Sequence, residues 1–293
     1  MWFYFAILSA LLNSFSTLAR KTHGSLAHPL ELCWWTLVFG VPLGLGLLLT
    51  SNGPYYTDLF FILPATVSAL LGIASSSLAF YAYQKNSTSA LVPLANLLPV
   101  FMIFTSFLLL GTLPSLGGLI GILLVVGGVY YSSVGGKKLS HPLRHIFSNP
   151  GSLAMLGCVV LWSLGANFDK VAMDHASPEF VLAYRQIVSF LVLSSILLLH
   201  PQRHRFRRGQ RVLKRWGWHI VAISLFATLA VYFQFHAIKL VDPVYVIAVK
   251  RIDILFTIIL AHFLLKEKHV MKRFEGSTIA LVGVIIICFS ATS

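Results

Sequence analysis

The sequence predicts an all-α membrane protein of ten transmembrane helices, arranged as two inverted five-helix repeats. Three observations carry this expectation. Apolar residues fill 57% of the 293 positions and charged residues 11%, with a mean hydropathy of +0.82, a balance that a soluble domain of this size could not carry on its surface. Apolar runs that match the about 20 helical residues needed to cross a ~30 Å hydrocarbon core recur ten times. Finally, the segment Phe107–Gly111 (FLLLG) with Gly127 is echoed 156 residues later by Phe263–Glu267 (FLLKE) with Gly283, the mark of a tandem duplication.

The spans fall near 2–19, 30–50, 59–83, 88–110 and 114–134 in the first half, and near 152–173, 178–199, 217–238, 243–265 and 275–292 in the second. The first run has no basic lead-in, and Arg20 and Lys21 follow it, the reverse of a cleavable leader. It is therefore read as a retained helix. Spanning strands would alternate apolar and polar residues, and runs such as Ile120–Val126 and Ile279–Ile287 do not, so helices are the remaining way to satisfy the backbone in lipid. Pro42, Pro64, Pro93 and Pro99 interrupt three of the spans and mark candidate kinks, with Asn96 bracketed by the last two. Gly117, Gly118, Gly121, Gly127 and Gly128 in the fifth span, with Gly276 and Gly283 in the tenth, permit close helix approach, either within the chain or across a homodimer. Cys33, Cys158 and Cys288 fall inside spans without a CxxC pair and read as small buried residues rather than disulfide or metal sites.

Residues 135–151 form a basic linker loop that divides the chain into repeats 1–134 and 152–293. An odd number of spans in each half makes the second copy enter the bilayer with opposite orientation. The net charge of +13 is placed asymmetrically: 17 of the 22 Lys and Arg fall in connections on one side and only Lys170 and Lys239 on the other. Cytoplasmic loops carry such an excess, so both termini are expected to face outward from a cell inner (plasma) membrane. The run Gln202–Arg215 is then a topology determinant lying on anionic headgroups of the lipid bilayer, and no folded module around it supports nucleic-acid binding.

Trp162, Asn167, Phe168 and Lys170, followed by Pro178 and Arg185, resemble the start of an EamA-type domain of the drug/metabolite transporter superfamily. Phe263–Glu267, Gly276 and Gly283 are similar to the same domain's last two helices. The resemblance covers essentially the whole chain and implies a transporter. In the first copy Ser16, Pro29 and Thr36 align with Gly165, Pro178 and Arg185 at an offset of 149, and Gly111 stands where the second copy has Glu267. The first copy thus lacks the charged positions, which predicts a site dominated by the second half. Members of the family are commonly drawn with cytoplasmic termini, a further departure from the charge count.

The most costly residues are Lys250, Arg251 and Asp253 in the ninth span. Lys250 lies roughly 10 Å into that helix at about 1.5 Å per residue, and a central charge costs on the order of 3 kcal/mol on insertion scales, so these residues should face the bundle interior. Lys250 and Asp253 share a helical face and could simply neutralise each other. With Arg185, three cations stand against one carboxylate at membrane depth, a surplus of two that calls for an anionic group on the substrate. Asp253 is the acidic residue placed near mid-span and the candidate for balancing charge or relaying a proton.

Asn13, Asn96, Asn167, Gln234 and His236, with Tyr81, Tyr83, Tyr184 and Tyr232, offer hydrogen bonds and aromatic walls; of these, Asn167 and Gln234 are expected to orient the substrate. Polar contacts between helices are the alternative use of the same residues. His141 with His145, and His200 with His204, have four-residue spacing without a third ligand, which predicts no metal. No phosphate loop, HExxH or serine elbow occurs, so no cofactor and no enzyme activity are expected. The reading is a secondary membrane transporter, a permease moving a small polar, anionic or zwitterionic metabolite by alternating access, with proton coupling, exchange and facilitated diffusion all open. A lipid-linked sugar or phospholipid translocase and a membrane scaffold without transport are the alternatives.

Overall fold

The computed structural model describes residues 1–23, 29–51, 55–85, 91, 94–134, 149–199, 206–253, 255–257, 259–260 and 274–291. Pro93, the linker up to residue 148, the Phe263–Glu267 echo, His141, His145, His200, His204, Arg203, Lys266, Lys268, Lys272 and Arg273 lie outside the described residues.

Within them the chain forms α-helices with one short 3-10 turn, Leu59–Phe61, ahead of α3. The first half comprises α1 (Trp2–His23), α2 (Pro29–Thr50), α3 (Ile62–Lys85), α4 (Leu98–Leu110) and α5 (Leu116–Val134). The second comprises α6 (Pro150–His175), α7 (Pro178–Leu199), α8 (Phe206–Leu240), α9 (Pro243–Lys250) and α10 (Phe274–Ser290). Among the described residues five helical stretches are long and apolar enough to cross a membrane, within α2, α3, α6, α7 and α8. Local sequence sets several ends. The Asn149 side chain accepts from Gly151 N at 2.9 Å ahead of Pro150, an N-cap with proline in the first turn. Gly111 closes α4 at φ 67°, its N–H returning to Phe107 O at 3.1 Å, a conformation glycine adopts without a Cβ penalty.

Two spans that read as continuous are broken. The fourth, expected over 88–110, passes through a turn at Asn96 and Leu97 before α4 begins at Leu98. Pro99 has no N–H to return to Ala95, and the adjacent amides tighten instead, with Leu97 N on Leu94 O at 3.1 Å and Val100 N on Leu97 O at 3.0 Å. The ninth, expected over 243–265, turns at Arg251 and Ile252, whose amides bond the carbonyls of Ala248 and Val249 at 3.1 Å each. A third difference lies in the basic run after Pro201: from Phe206 it is helical and extends α8 rather than forming a loop, consistent with its content of Arg, Gln, Leu and Lys, which are good helix formers.

Every extensive contact joins an early helix to a late one. α1 packs on α8, α2 on α7, α3 on α6, α4 on α9 and on α6, and α5 on α10, with α1 also on α9. The α5–α10 contact is backbone against backbone. A Cβ at Gly121 would meet Gly283 O at 2.8 Å, one at Gly283 would meet Gly121 O at 2.6 Å, and one at Gly128 would meet Gly276 O at 2.6 Å. The close approach these glycines allow is thus used inside the chain, whereas Gly127 faces open space. The segment before α3 is clipped to the α6–α7 turn. Ser177 N donates to Tyr55 O and Thr57 N to His175 O, both at 2.9 Å, and Asp58 pairs with His175 at 2.9 Å.

Candidate functional site

The α6–α7 hairpin carries the best-formed charged group in the bundle. Asp169 sits six residues before the end of α6 and Arg185 seven after the start of α7, so each lies about 10 Å from the connecting turn at ~1.5 Å per residue. At that common depth Arg185 Nη1 donates to Asp169 Oδ2 at 2.8 Å, and Ser68 of α3 donates to Asp169 Oδ1 at 2.5 Å. Asp169 is 2% exposed. The Arg185 side chain keeps 27% of its surface open and lies against the Phe235 ring, 5.8 Å from its centroid. A guanidinium has five N–H donors, and one carboxylate oxygen leaves most of them available.

Those donors border a cavity of about 230 Å³ between α2, α3, α7 and α8. Its polar lining is Arg185, Gln186 and Ser189 from α7, Ser224 and Thr228 from α8, Thr36 from α2 and Ser76 from α3. Leu30, Cys33, Leu37, Leu182, Leu193 and Val231 supply apolar wall. Gln186 is admitted because α2 has glycines opposite: a Cβ at Gly44 would collide with Gln186 Oε1, and one at Gly40 would meet Thr228 Oγ1 at 3.2 Å. Gln186 Nε2 donates to Thr228 at 3.1 Å, and Ser224 to the Thr36 carbonyl at 2.6 Å. The sequence alignment of Thr36 with Arg185 acquires a spatial meaning here, since both face the same cavity.

The remaining expected residues gather elsewhere, around the break in α9. Lys250 is 8% exposed and donates to Gln234 Oε1 of α8. Asp253, also 8% exposed, accepts from Asn13 Nδ2 of α1 at 2.6 Å, while its second oxygen has no hydrogen-bond partner among the described residues. Arg251 is half-buried, and its Nε likewise has no hydrogen-bond partner among the described residues. Lys250 and Asp253 therefore neutralise no charge through a direct bond to each other; each is bonded to a neutral amide. Asn167 is fully buried, donating to Thr105 Oγ1 and Ser163 O at 2.9 Å each and accepting from Ser106 at 2.7 Å. It ties α6 to α4 and does not line the cavity.

Asp169, at the depth of Arg185, reduces the expected surplus of two cations to one. Asp169 neutralises Arg185, and Glu179 of α7, 8% exposed, lies 3.0 Å from His236 Nε2 of α8. Sequence reasoning missed Asp169 because it adjoins Lys170, which was assigned to an outer connection. The available signal was its place one hairpin before Arg185 at matching depth. Lys170 reaches back to the carbonyls of Ile238 and Lys239 at 3.1 and 3.3 Å, and Lys239 donates to Met173 O; each lysine thus meets the C-terminal end of the other's helix, where carbonyls lack helical partners. Among the described residues no group of three or more His, Cys, Asp or Glu could hold a metal ion.

Three comparisons bear on this architecture. A solved crystal structure superposes with a TM-score of 0.77 at 16% identity, covering 99% of this chain and 97% of the other, which is a likeness of fold. An uncharacterised protein of Methanocaldococcus jannaschii is 32% identical over 97 residues, 33% of this chain and 71% of its own length. The model of the EamA-like transporter family matches residues 1–134 and 149–289. The chain accordingly belongs to the EamA-like transporter family and is a multi-pass helical membrane transporter of the drug/metabolite type.

Proposed function

We propose that this transporter moves a small polar metabolite, anionic or zwitterionic, by alternating access between two inverted five-helix repeats, 1–134 and 152–293. The observation that carries the substrate class is Arg185, oriented by Asp169 and offering its free donors to an otherwise hydroxyl- and amide-lined cavity. Such a group binds a carboxylate or phosphate through paired hydrogen bonds. The cavity volume of about 230 Å³ lies below the ~300–1,000 Å³ of pockets for drug-sized ligands, which favours a small solute over a lipid-linked sugar or phospholipid.

The contact pattern supports the repeat. Exchanging α1–α5 for α6–α10 turns the α1–α8 contact into α6–α3 and the α1–α9 contact into α6–α4, and leaves α2–α7, α4–α9 and α5–α10 unchanged. The helix breaks at Asn96 and Arg251 fall 155 residues apart in contacting helices. Interrupted helices at corresponding places in two halves are how many carriers expose backbone groups to a cargo or coupling ion. Lys250, Arg251, Asp253 and Gln234 at the second break form the other polar region of the cycle, with Asp253 balancing charge or carrying a proton, and Asn167 holding α6 on α4. By the distribution of Lys and Arg both termini face outward from the inner (plasma) membrane.

Uptake of amino acids, organic acids and sugar phosphates into proteoliposomes tests the reading, with headgroup flipping assayed alongside. Arg185→Met should lower uptake about ten- to a hundredfold, from the ~1.5–3 kcal/mol of a hydrogen bond to a charged group. The paired change Asp169→Asn with Arg185→Gln, which leaves no buried charge behind, should lose uptake while keeping the fold. Undiminished uptake in both variants, or flipping without solute uptake, rejects the proposal.

A further inference from the structure

The cavity runs toward one face of the bundle. α7 and α8 come together near the α6–α7 turn, where Glu179 Oε1 lies 3.0 Å from His236 Nε2. They are joined again about 10 Å further in, at ~1.5 Å per residue, where Gln186 Nε2 donates to Thr228 Oγ1 at 3.1 Å. From that bond the lining continues to Leu193 on α7 and Ser224 on α8, away from the turn. It reaches Leu30 in the first turn of α2, close after Arg20 and Lys21 at the end of α1. α2 and α3 both border the cavity there yet make little contact with each other. Ser77 of α3 is exposed, its hydroxyl returned to Ile73 O at 3.0 Å.

On the repeat proposed above, the α7–α8 seam has its counterpart in the α2–α3 seam. Ser9 of α1 donates to Ala230 O of α8 at 2.7 Å, and Cys158 of α6 pairs with the backbone of Ala79 of α3. Cys158 follows Ser9 by 149 residues, the offset that also relates α2 to α7, and Ala230 follows Ala79 by 151. These offsets carry Gln186 to Leu37 and Thr228 to Ser77. We propose that the α2–α3 seam is the gate of the cavity on the face of the basic connections, open here, and that it shuts by bringing Leu37 onto Ser77 as Gln186 leaves Thr228. The inference rests on the transport reading, in which the two halves exchange conformations, and adds the residues that meet. Pro42 has no N–H to return to Val38 O, so the half of α2 that borders the cavity joins the rest of the helix at a weak point. Gly40 and Gly44, on either side of Pro42, seat α2 against Thr228 and Gln186 and serve as the pivot.

Paired cysteines test the gate in protein whose own cysteines are replaced (Cys33→Ser, Cys158→Ser and Cys288→Ser) and which is reconstituted in proteoliposomes. A short bifunctional methanethiosulfonate should bridge Gln186→Cys/Thr228→Cys, which reports a folded bundle, and should also bridge Leu37→Cys/Ser77→Cys; intact mass shows a single reagent joining both thiols. Leu30→Cys/Ile73→Cys, about three turns out of register across the same seam, should not be bridged. Bridging Leu37→Cys/Ser77→Cys should lower uptake of malate, glutamate or a hexose phosphate, whichever the unbridged protein carries, about tenfold or more, and reduction should restore it, because a chain held in one state does not cycle. Leu37→Cys/Ser77→Cys left unbridged while the first pair is bridged, the out-of-register pair bridged equally well, or uptake undiminished after bridging overturns the gate. Uptake of none of the three solutes by the unbridged variants and the parent protein alike, with Leu37→Cys/Ser77→Cys still bridged, would instead overturn the transport reading.

Discussion

Two polar junctions occupy matching places in the bundle and behave differently. In each, an asparagine of the first helix of one half reaches the fourth helix of the other: Asn167 of α6 meets Thr105 and Ser106 of α4, and Asn13 of α1 meets Asp253 just past α9. At the first junction the bonded groups are neutral and buried, and Asn167 uses both its oxygen and its nitrogen. At the second, one Asp253 oxygen and Arg251 Nε lack hydrogen bonds among the described residues, and Lys250 has a neutral amide for a hydrogen-bond partner. A saturated neutral network fixes one packing, whereas buried charges with open valences favour any rearrangement or ligand that satisfies them. On the transport reading proposed above, the first junction is the support and the second the part that moves.

The sharpest way to break that assignment is Lys250→Met. Uptake should fall about a hundredfold, the upper end of the ~1.5–3 kcal/mol of a charged hydrogen bond, with a smaller effect on thermal stability, because the ammonium removed is a buried charge whose direct hydrogen bond is to a neutral amide. Retained uptake would make the two junctions alike.

Asn167→Leu should do the reverse. Thr105 and Ser106 would be left without their side-chain partner, lowering stability by about 1–3 kcal/mol, seen as a lower thermal midpoint with uptake per folded molecule unchanged. Asn13→Leu should be milder on both counts, reducing uptake about fivefold, equivalent to ~1 kcal/mol, since Asp253 then loses the amide on its Oδ2.

The smallest effect belongs to the exposed clip, which serves as a control outside both junctions. Burial pushes the Asp58 carboxyl up, but hydrogen bonds from Phe60 N–H and His175, with the His175 charge, outweigh it and leave the group below its ordinary value of 3.8. A carboxyl lowered by folding contributes stability above its unfolded value and loses it as pH falls through the folded one. Asp58→Ala should therefore lower neutral-pH stability slightly and abolish the equally slight loss that the parent protein shows in the acid range below 3.8, as followed by thermal melts.

How much of this was legible in the chain varies by residue. Apolar runs and turn residues placed the helices of both halves, with the seventh, 178–199, reproduced as Pro178–Leu199, because in lipid every backbone polar group must be satisfied within its own helix. The family resemblance rested on spaced residues that the family model independently matches. The cost of burying Lys250 and Asp253 was visible, and so was their inward placement. Their partners were not: Gln234 and Asn13 lie 16 and 240 residues away in the chain.

Contiguous residues alone make the chain helical, membrane-embedded and of EamA type, since hydrophobic length and helix signals are local properties. It took the packed helices to show that Asp169 takes Arg185, that Thr36 and Arg185 share one cavity, and that the fourth and ninth spans are broken and pack on each other. Charge pairing and cavities depend on which helix faces come together, and that is set by packing between distant segments, here by backbone contact as close as that of Gly121 on Gly283.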